Sequence, residues 1–296
     1  MKKKSIVNPQ TQKARITVTL WLLVVILSCL VFILLLFPSK TDARVESGNE
    51  QSSNVQSASH SKSDSPQDQN KTVAPVKKGK IAVIIDDAGY NLEKLKRLLE
   101  FPGKLTIAVL PQVAYSTQSA ELAHRAGKEV ILHLPMQPEG DENPGPGLIT
   151  VDLNEEEIEA MIALNLTTVP HAKGLNNHMG SLATADEKVV RTIVNFCKQH
   201  NLFFLDSKTT VHSLVAKIAG AEDLPVLSRD IFLDNERNKE YIKKSLFKGM
   251  ELAKEYGKVV LIGHIGDEIT DVLNEMYPLL IKQGYELVTA SELLND

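Results

Sequence analysis

The stretch KIAVIIDDAGY, residues 80–90, decides the fold: an apolar run, Ile81 to Ile85, ends in two adjacent aspartates followed at once by Ala-Gly. A short β-branched run closed by a turn signal reads as a buried strand. Two carboxylates at its tip repel each other and lose solvation unless a cation, a proton or a hydrogen-bond network answers them.

The same pattern recurs outward from this stretch. Apolar runs stand at 81–85, 105–110, 129–134, more weakly at 173–179, then at 202–205, 226–233, 259–263 and 286–289, with helical periodicity between them. Helix starts are legible: Asn91 precedes LEKLKRLLE, Asn154 precedes EEEIEAMIALN, and Thr184 to Glu187 form a capping box ahead of VVRTIVNFCKQ. The stripe Val189, Val190, Ile193 and Val194 on that last helix is expected to be core. Seven or eight strand–helix units between residues 79 and 296 predict an α/β fold, a parallel sheet rolled into a distorted (β/α)7–8 barrel with helices outside. No GxGxxG follows the first strand and no GxxxxGK[ST] occurs, which argues against dinucleotide and P-loop nucleotide sites.

In such barrels the loops after the strand C-termini converge on one face, where active sites sit. That face receives Asp86 and Asp87 after the first run, His133 at the end of the third, Asn176-Asn177-His178 at the fourth, Asp206 after the fifth, Arg229 and Asp230 in the sixth, and His264 after the seventh. A divalent transition metal, most simply zinc, takes three His or carboxylate ligands and keeps one position open. Asp87, His133 and His178 supply such a set. Asp86 is then expected to be the base that takes a proton from water, and His264 the acid that protonates a departing nitrogen. Asn177, Asp206, Arg229 and Asp230 are expected to support these groups, with Arg229 holding Asp230 or Asp86 ionised. The reaction class is metal-assisted hydrolysis of an amide. Taken singly, each residue also fits a structural role, such as a turn device for the Asp pair or a hydrogen-bonded core position for His133. Their common placement at one end of the strands is what argues for a site.

Composition narrows the class further. Lys and Arg number 33 against 37 Asp and Glu, a net charge of −4 that gives no sign of nucleic-acid binding. The segment between Arg15 and Lys40 carries no charge, and residues 16–37 are predicted to be a transmembrane signal anchor, with a cleaved signal peptide as the alternative. Lys2, Lys3, Lys4, Lys13 and Arg15 precede it, so residues 1–15 are expected in the cytoplasm and the remainder across the membrane, in a periplasm or on the cell surface. Residues 38–78 are rich in Ser, Gln, Asn and Asp and are predicted to be a disordered linker, leaving 79–296 as the folded domain.

IDDAGY, HLPMQP, PGPGLI, NNHMGS, FFLDSKTT, SRDIFLDN and IGH occur in that order. With them the chain, from about Lys80 to its C-terminus, resembles the divergent polysaccharide deacetylase family, a distant branch of the NodB-type carbohydrate esterases. The resemblance implies a distorted (β/α) barrel and removal of acetyl groups from an N-acetylated polysaccharide or peptidoglycan with the help of a divalent metal, Zn2+ foremost. It also implies Asp86 as base, Asp87, His133 and His178 as ligands, and His264 as acid. Ordinary members carry their second metal histidine a few residues after the first. HLPMQ has one histidine, so the second has to come from NNHMGS on another strand. Arg-x-Pro and Asp-x-Trp-Ser motifs are missing, and Trp21, the one tryptophan, lies in the apolar segment. Two classes of function follow: an extracytoplasmic metallohydrolase, or a membrane-tethered envelope protein that uses the same barrel to bind a glycan or a protein partner. The spare carboxylate of Asp86 beside a ligand favours the first.

Overall fold

Strand β1, Gly79–Ala88, contains the whole apolar run and both aspartates. In this computed structural model residues 78–295 are described. The predicted anchor at 16–37 and nearly all of the linker lie outside them, and among the described residues no helix is long and apolar enough to cross a membrane. After β1 the elements follow in order: α1 Leu92–Leu99, β2 Thr106–Val109, α2 Ser116–Arg125, β3 Glu129–Met136, α3 Glu155–Thr167, β4 Ala172–Met179, α4 Glu187–Gln199 and β5 Phe203–Asp206. Then come α5 Val215–Ala221, β6 Val226–Ser228, β7 Ile231–Phe232, α6 Lys239–Tyr256, β8 Lys258–His264, α7 Asp267–Lys282, β9 Tyr285–Val288 and α8 Ala290–Leu294.

Every strand pair is parallel, in the order β6-β5-β4-β3-β2-β1-β8-β7, with β9 beside the first half of β1. The run at 226–233, expected as one strand, is split. Arg229 N–H bonds to Asp206 O on β5, whereas Asp230 N–H bonds to Val260 O on β8. The chain therefore steps from one edge of the sheet to the other between neighbouring residues. Three Cα–Cα steps join Ser228 to Ile231, so the two edges stand within about 11 Å of each other. The predicted barrel is thus a curled parallel sheet, brought round by chain continuity where no hydrogen-bond ladder closes it. At the break the Asp230 carboxylate accepts Val260 N–H (2.8 Å), doing with a side chain what a ladder partner does elsewhere.

Alternation along the strands sorts two cores. Ile81, Val83 and Ile85 of β1 pack outward with Val130, Leu132 and Leu134 of β3 against the helices. Ala82, Ile84, Ile131, Phe203, Leu205, Val260 and Ile262 fill the concave face, with Ala290 and Leu293 of α8. At the strand N-termini α8 is tied in by Ala290 N–H to Thr106 Oγ1 (3.0 Å) and Ser291 N–H to Glu129 Oε1 (3.1 Å). The strand C-termini are left to the loops.

Two of the predicted caps are present: Asn91 accepts from Lys94 N–H, and Asn154 forms a capping box with Glu157. The third is different. Asp186, not Thr184, caps α4, accepting from Val189 N–H (2.9 Å). The Thr184 hydroxyl is instead donated to Gly180 O (2.7 Å) within a short 3-10 turn, and an Asp next to the helix caps it as well as a Thr would. The stripe Val189, Val190, Ile193 and Val194 is fully buried, as expected.

Candidate metal centre and active site

The two-residue period of a strand determines which polar residues share the concave face. Asp86 continues the inward series Ala82, Ile84, and His133 continues from Ile131. Asn176 stands opposite His133 in the β3–β4 register, and His178 lies two residues further on the same side of β4. His264 follows Val260 and Ile262 on β8 and is the register partner of Asp86. Four segments thus place inward side chains near their C-terminal ends around one point.

Asp87 breaks the rule and must be explained separately. In a regular strand it would face away from Asp86. Between Ile85 and Ala88, however, β1 spans one residue more than β2 does between Ile107 and Val109, and Asp87 itself has φ 64°. This is a β-bulge with its extra residue in the left-handed region, a device that re-aims a side chain at the cost of some strain. As a result both carboxylates reach the same imidazole: His133 Nε2 lies 3.3 Å from Asp87 Oδ1 and 3.7 Å from Asp86 Oδ2.

Asp87 Oδ1, His133 Nε2 and His178 Nδ1 form a nearly equilateral triangle. Its sides are 3.3 Å (Asp87–His133), 3.2 Å (Asp87–His178) and 3.1 Å (His133–His178). Metal–ligand bonds of roughly 2.0–2.1 Å in tetrahedral geometry separate their donors by about 3.3 Å. Asp87 Oδ1 is buried and makes no well-formed hydrogen bond, which is the state of a lone pair aimed at an ion. A carboxylate with two imidazoles is also the donor chemistry that zinc and similar divalent cations take. The residues therefore fit a metal. The open side points outward, since Asp86 and His133 side chains are 3% and 2% exposed while Asp87 and His178 are 29% and 17% exposed.

Behind the triangle stands Asn176, fully buried. Its carbonyl accepts His133 Nδ1–H (2.8 Å), and its amide donates to Asp86 Oδ1 (2.9 Å) and to Ser207 Oγ (3.2 Å). This bond fixes the His133 tautomer with Nε2 facing the cluster, the arrangement commonly found behind metal-bound histidines. On the far side of Asp86, His264 Nδ1 lies 3.2 Å from Asp234 Oδ1, while Asp234 Oδ2 accepts His264 N–H (2.9 Å). The His264 ring stacks on Phe232 at 5.2 Å.

Electrostatics follow from this packing. Burial raises the Asp86 carboxyl above its ordinary value, a push that outweighs the opposing pull of His133, His264 and the Asn176 amide and is reinforced by Asp87. Burial works the same way on Asp87, but there the two adjacent imidazoles win and hold it well below the usual carboxylate range. For His133, burial opposes the charge, yet Asp86 and Asp87 together push it up to about 9. His264 is raised as well, against burial, chiefly by Asp234 and then by the two aspartates of β1.

The structure brings together Asp86, Asp87, His133, His178 and His264, and it places the four expected supporting residues elsewhere. Asn177 faces away from the cluster and accepts Ser207 N–H (2.8 Å). Asp206 shares the outward face with Phe204, its carboxylate taken by Lys208 N–H (2.7 Å) and the Ser213 hydroxyl (2.8 Å). Asp230 serves the sheet break described above. Arg229 touches neither Asp230 nor Asp86; it donates to the carbonyls of Ser207 (2.7 Å) and Lys208 (2.9 Å) and lies over Phe232. Asn176 and Asp234 join the site although the strand-end pattern does not single them out. For Asn176 the signal was present, because it shares its parity with His178. Asp234 stands inside the motif SRDIFLDN, but β7 is too short to show a period that would turn it toward the cluster.

A family model described as divergent polysaccharide deacetylase matches residues 83–294. A protein of Escherichia coli K12, YibQ, is 33% identical over 223 residues, covering 75% of this chain and 70% of its own length. A protein of Haemophilus influenzae Rd is 30% identical over 185 residues, 62% of this chain and 66% of its own length. Among solved structures, a protein of Agrobacterium tumefaciens C58 with 20% identity matches at a TM-score of 0.68 over 74% of this chain and 91% of its own, which shows a shared fold. By the family match over residues 83–294, the chain belongs to the divergent polysaccharide deacetylase family.

Proposed function

We propose that the protein is a metal-dependent deacetylase of an N-acetylated cell-wall or surface polysaccharide, such as peptidoglycan, held at the membrane by residues 16–37 with its barrel outside the cytoplasm. The observation that carries the reading is the triangle of Asp87, His133 and His178 with the second carboxylate, Asp86, against the same imidazole. A divalent cation held by these three, with Zn2+ as the first choice, supplies Lewis acidity toward an amide carbonyl and makes water more acidic.

The chain's own residues do the rest. Asp86 is inward, buried and raised by that burial, so it is poised to accept a proton from attacking water. Asn176 holds Asp86 through one oxygen and leaves the other toward the cluster. His264, oriented by Asp234, whose carboxylate favours its charged form, delivers a proton to the leaving nitrogen. A protein that only bound glycan would have no need of Asp86 beside a ligand.

The test pairs elemental analysis of the full-length chain with acetate release from N-acetylglucosamine oligomers. Close to one equivalent of metal, lost in Asp87→Ala, together with acetate release is the expected result. Metal without acetate would give the barrel over to binding, and no metal would remove the proposal.

A further inference from the structure

The residues expected around the metal instead converge on one loop, residues 207–213. Asn177 holds Ser207 N–H, Asp206 holds Lys208 N–H and the Ser213 hydroxyl, and Arg229 clamps the carbonyls of Ser207 and Lys208. The Thr209 hydroxyl is donated to Met179 O (2.9 Å), one residue past His178. Lys208 (φ 48°) and Met179 (φ 54°) both sit in the left-handed region. A surface loop fastened by this many bonds into strained backbone, beside a reactive centre, is built to hold a shape.

That shape is a cavity of about 420 Å3 lined by Lys208, Thr209, Thr210, Val211, Arg229 and Asp230. Its size lies within the ordinary range for small-molecule sites. Its donors are uncommitted: among the described residues no group bonds or pairs with the Lys208 ammonium, and Arg229 uses Nε and Nη2 but not Nη1. Arg229 is half-buried over the Phe232 ring (4.6 Å), so its charge is fixed in place rather than free in solvent. Three carboxylates act on the Arg229 charge, Asp206 first, then Asp230, which also lines the cavity, and Asp86. Asp230 spends one oxygen on Val260 N–H, and both oxygens of Asp206 are engaged from behind. Val211, 95% exposed, adds an apolar lip.

We infer that this cavity is a subsite for an anionic sugar residue, its carboxylate received by Lys208 and Arg229 while the neighbouring N-acetylated sugar lies at the metal centre. The inference rests on the proposed function only in taking the ligand to be a glycan. It adds that the preferred polymer is acidic, with a carboxylated sugar next to the one deacetylated.

The probe is an oligosaccharide alternating N-acetylglucosamine with glucuronic acid, compared by calorimetry with the same oligosaccharide after its carboxyl groups are reduced to alcohols. Full-length protein is expected to bind the acidic form about tenfold more tightly, the worth of one charge-assisted hydrogen bond, and the margin should shrink as salt is raised. Lys208→Gln, which leaves Arg229 in place, should reduce that margin at least about threefold. Should that variant fold poorly, Lys208→Asn serves, since Asn accepts left-handed backbone. Equal affinity of wild-type protein for both forms, a margin undiminished by loss of the Lys208 charge, or binding of neither form would overturn the inference. Acetate release from neutral N-acetylglucosamine oligomers reports separately on the proposed function, so either idea can fail while the other stands.

Discussion

Asn176→Ala is the substitution that most directly probes how the centre is held. Asn176 is fully buried, and its amide meets three polar groups: His133 Nδ1–H, Asp86 Oδ1 and Ser207 Oγ. Truncation strands the first two without a partner, because Asp86 and the His133 ring are themselves almost wholly buried. Each orphaned buried polar group costs roughly 1–3 kcal/mol, and more when charged, so the loss should be on the order of 4 kcal/mol. For a domain of this size that corresponds to a fall in Tm of about 8–16 °C, measured by circular dichroism or calorimetry. Metal affinity, measured by chelator competition, should fall roughly 10- to 100-fold, because the His133 ring loses the bond that orients it. The control is the adjacent residue. Asn177→Ala removes bonds to Ser207 N–H and Met179 O on the other face of β4, so it should loosen the 207–213 loop yet leave metal affinity within about threefold. If the two variants have the same metal affinity, or if Asn176→Ala melts within about 2 °C of wild type, the parity argument on which the site rests is refuted.

Asp86→Asn should keep full metal content by elemental analysis while acetate release falls at least about 10²-fold, the usual worth of a positioned base. In Asp234→Asn the chief group that raises the His264 pKa is gone, so the acid deprotonates sooner. The descending limb of the pH–rate profile should accordingly move to lower pH, with KM little changed. Metal binding should be linked to protons: His133 holds a proton up to about pH 9 in the metal-free protein and must release it from Nε2 to bind. Apparent affinity should therefore climb about tenfold per pH unit between pH 6 and 8 and flatten above 9, and calorimetry in buffers of different ionisation enthalpy should show the released proton.

Much of this protein was legible as pattern. The eight apolar runs, two of the three helix caps and the gathering of Asp86, His133, His178 and His264 at the strand ends all follow from local periodicity and from the rule that parallel strands present their C-termini to one face. The signal is strong because every strand core is bounded by turn chemistry, and a buried strand tolerates a carboxylate or an imidazole only near its end. Which polar residue beside a histidine looks inward was also available from the two-residue period. Applied to β4 it selects Asn176 over Asn177.

The sequence determined, then, which residues sit at strand tips and on which face a regular strand would present them. Tertiary structure alone decided what departs from regularity. The bulge at Asp87 depends on one strand carrying a residue more than its neighbour, a property of a pair that neither segment contains by itself. The split at Arg229 and Asp230 arises because β5 and β8, distant in the chain, both present free edges to the same short run. Asp234 meets His264, and Arg229 meets the carbonyls of a loop, only once the sheet has curled. Periodicity is a local quantity and register a non-local one, so residues could be placed near the rim from sequence, but which of them touch was decided by the way the strands pair.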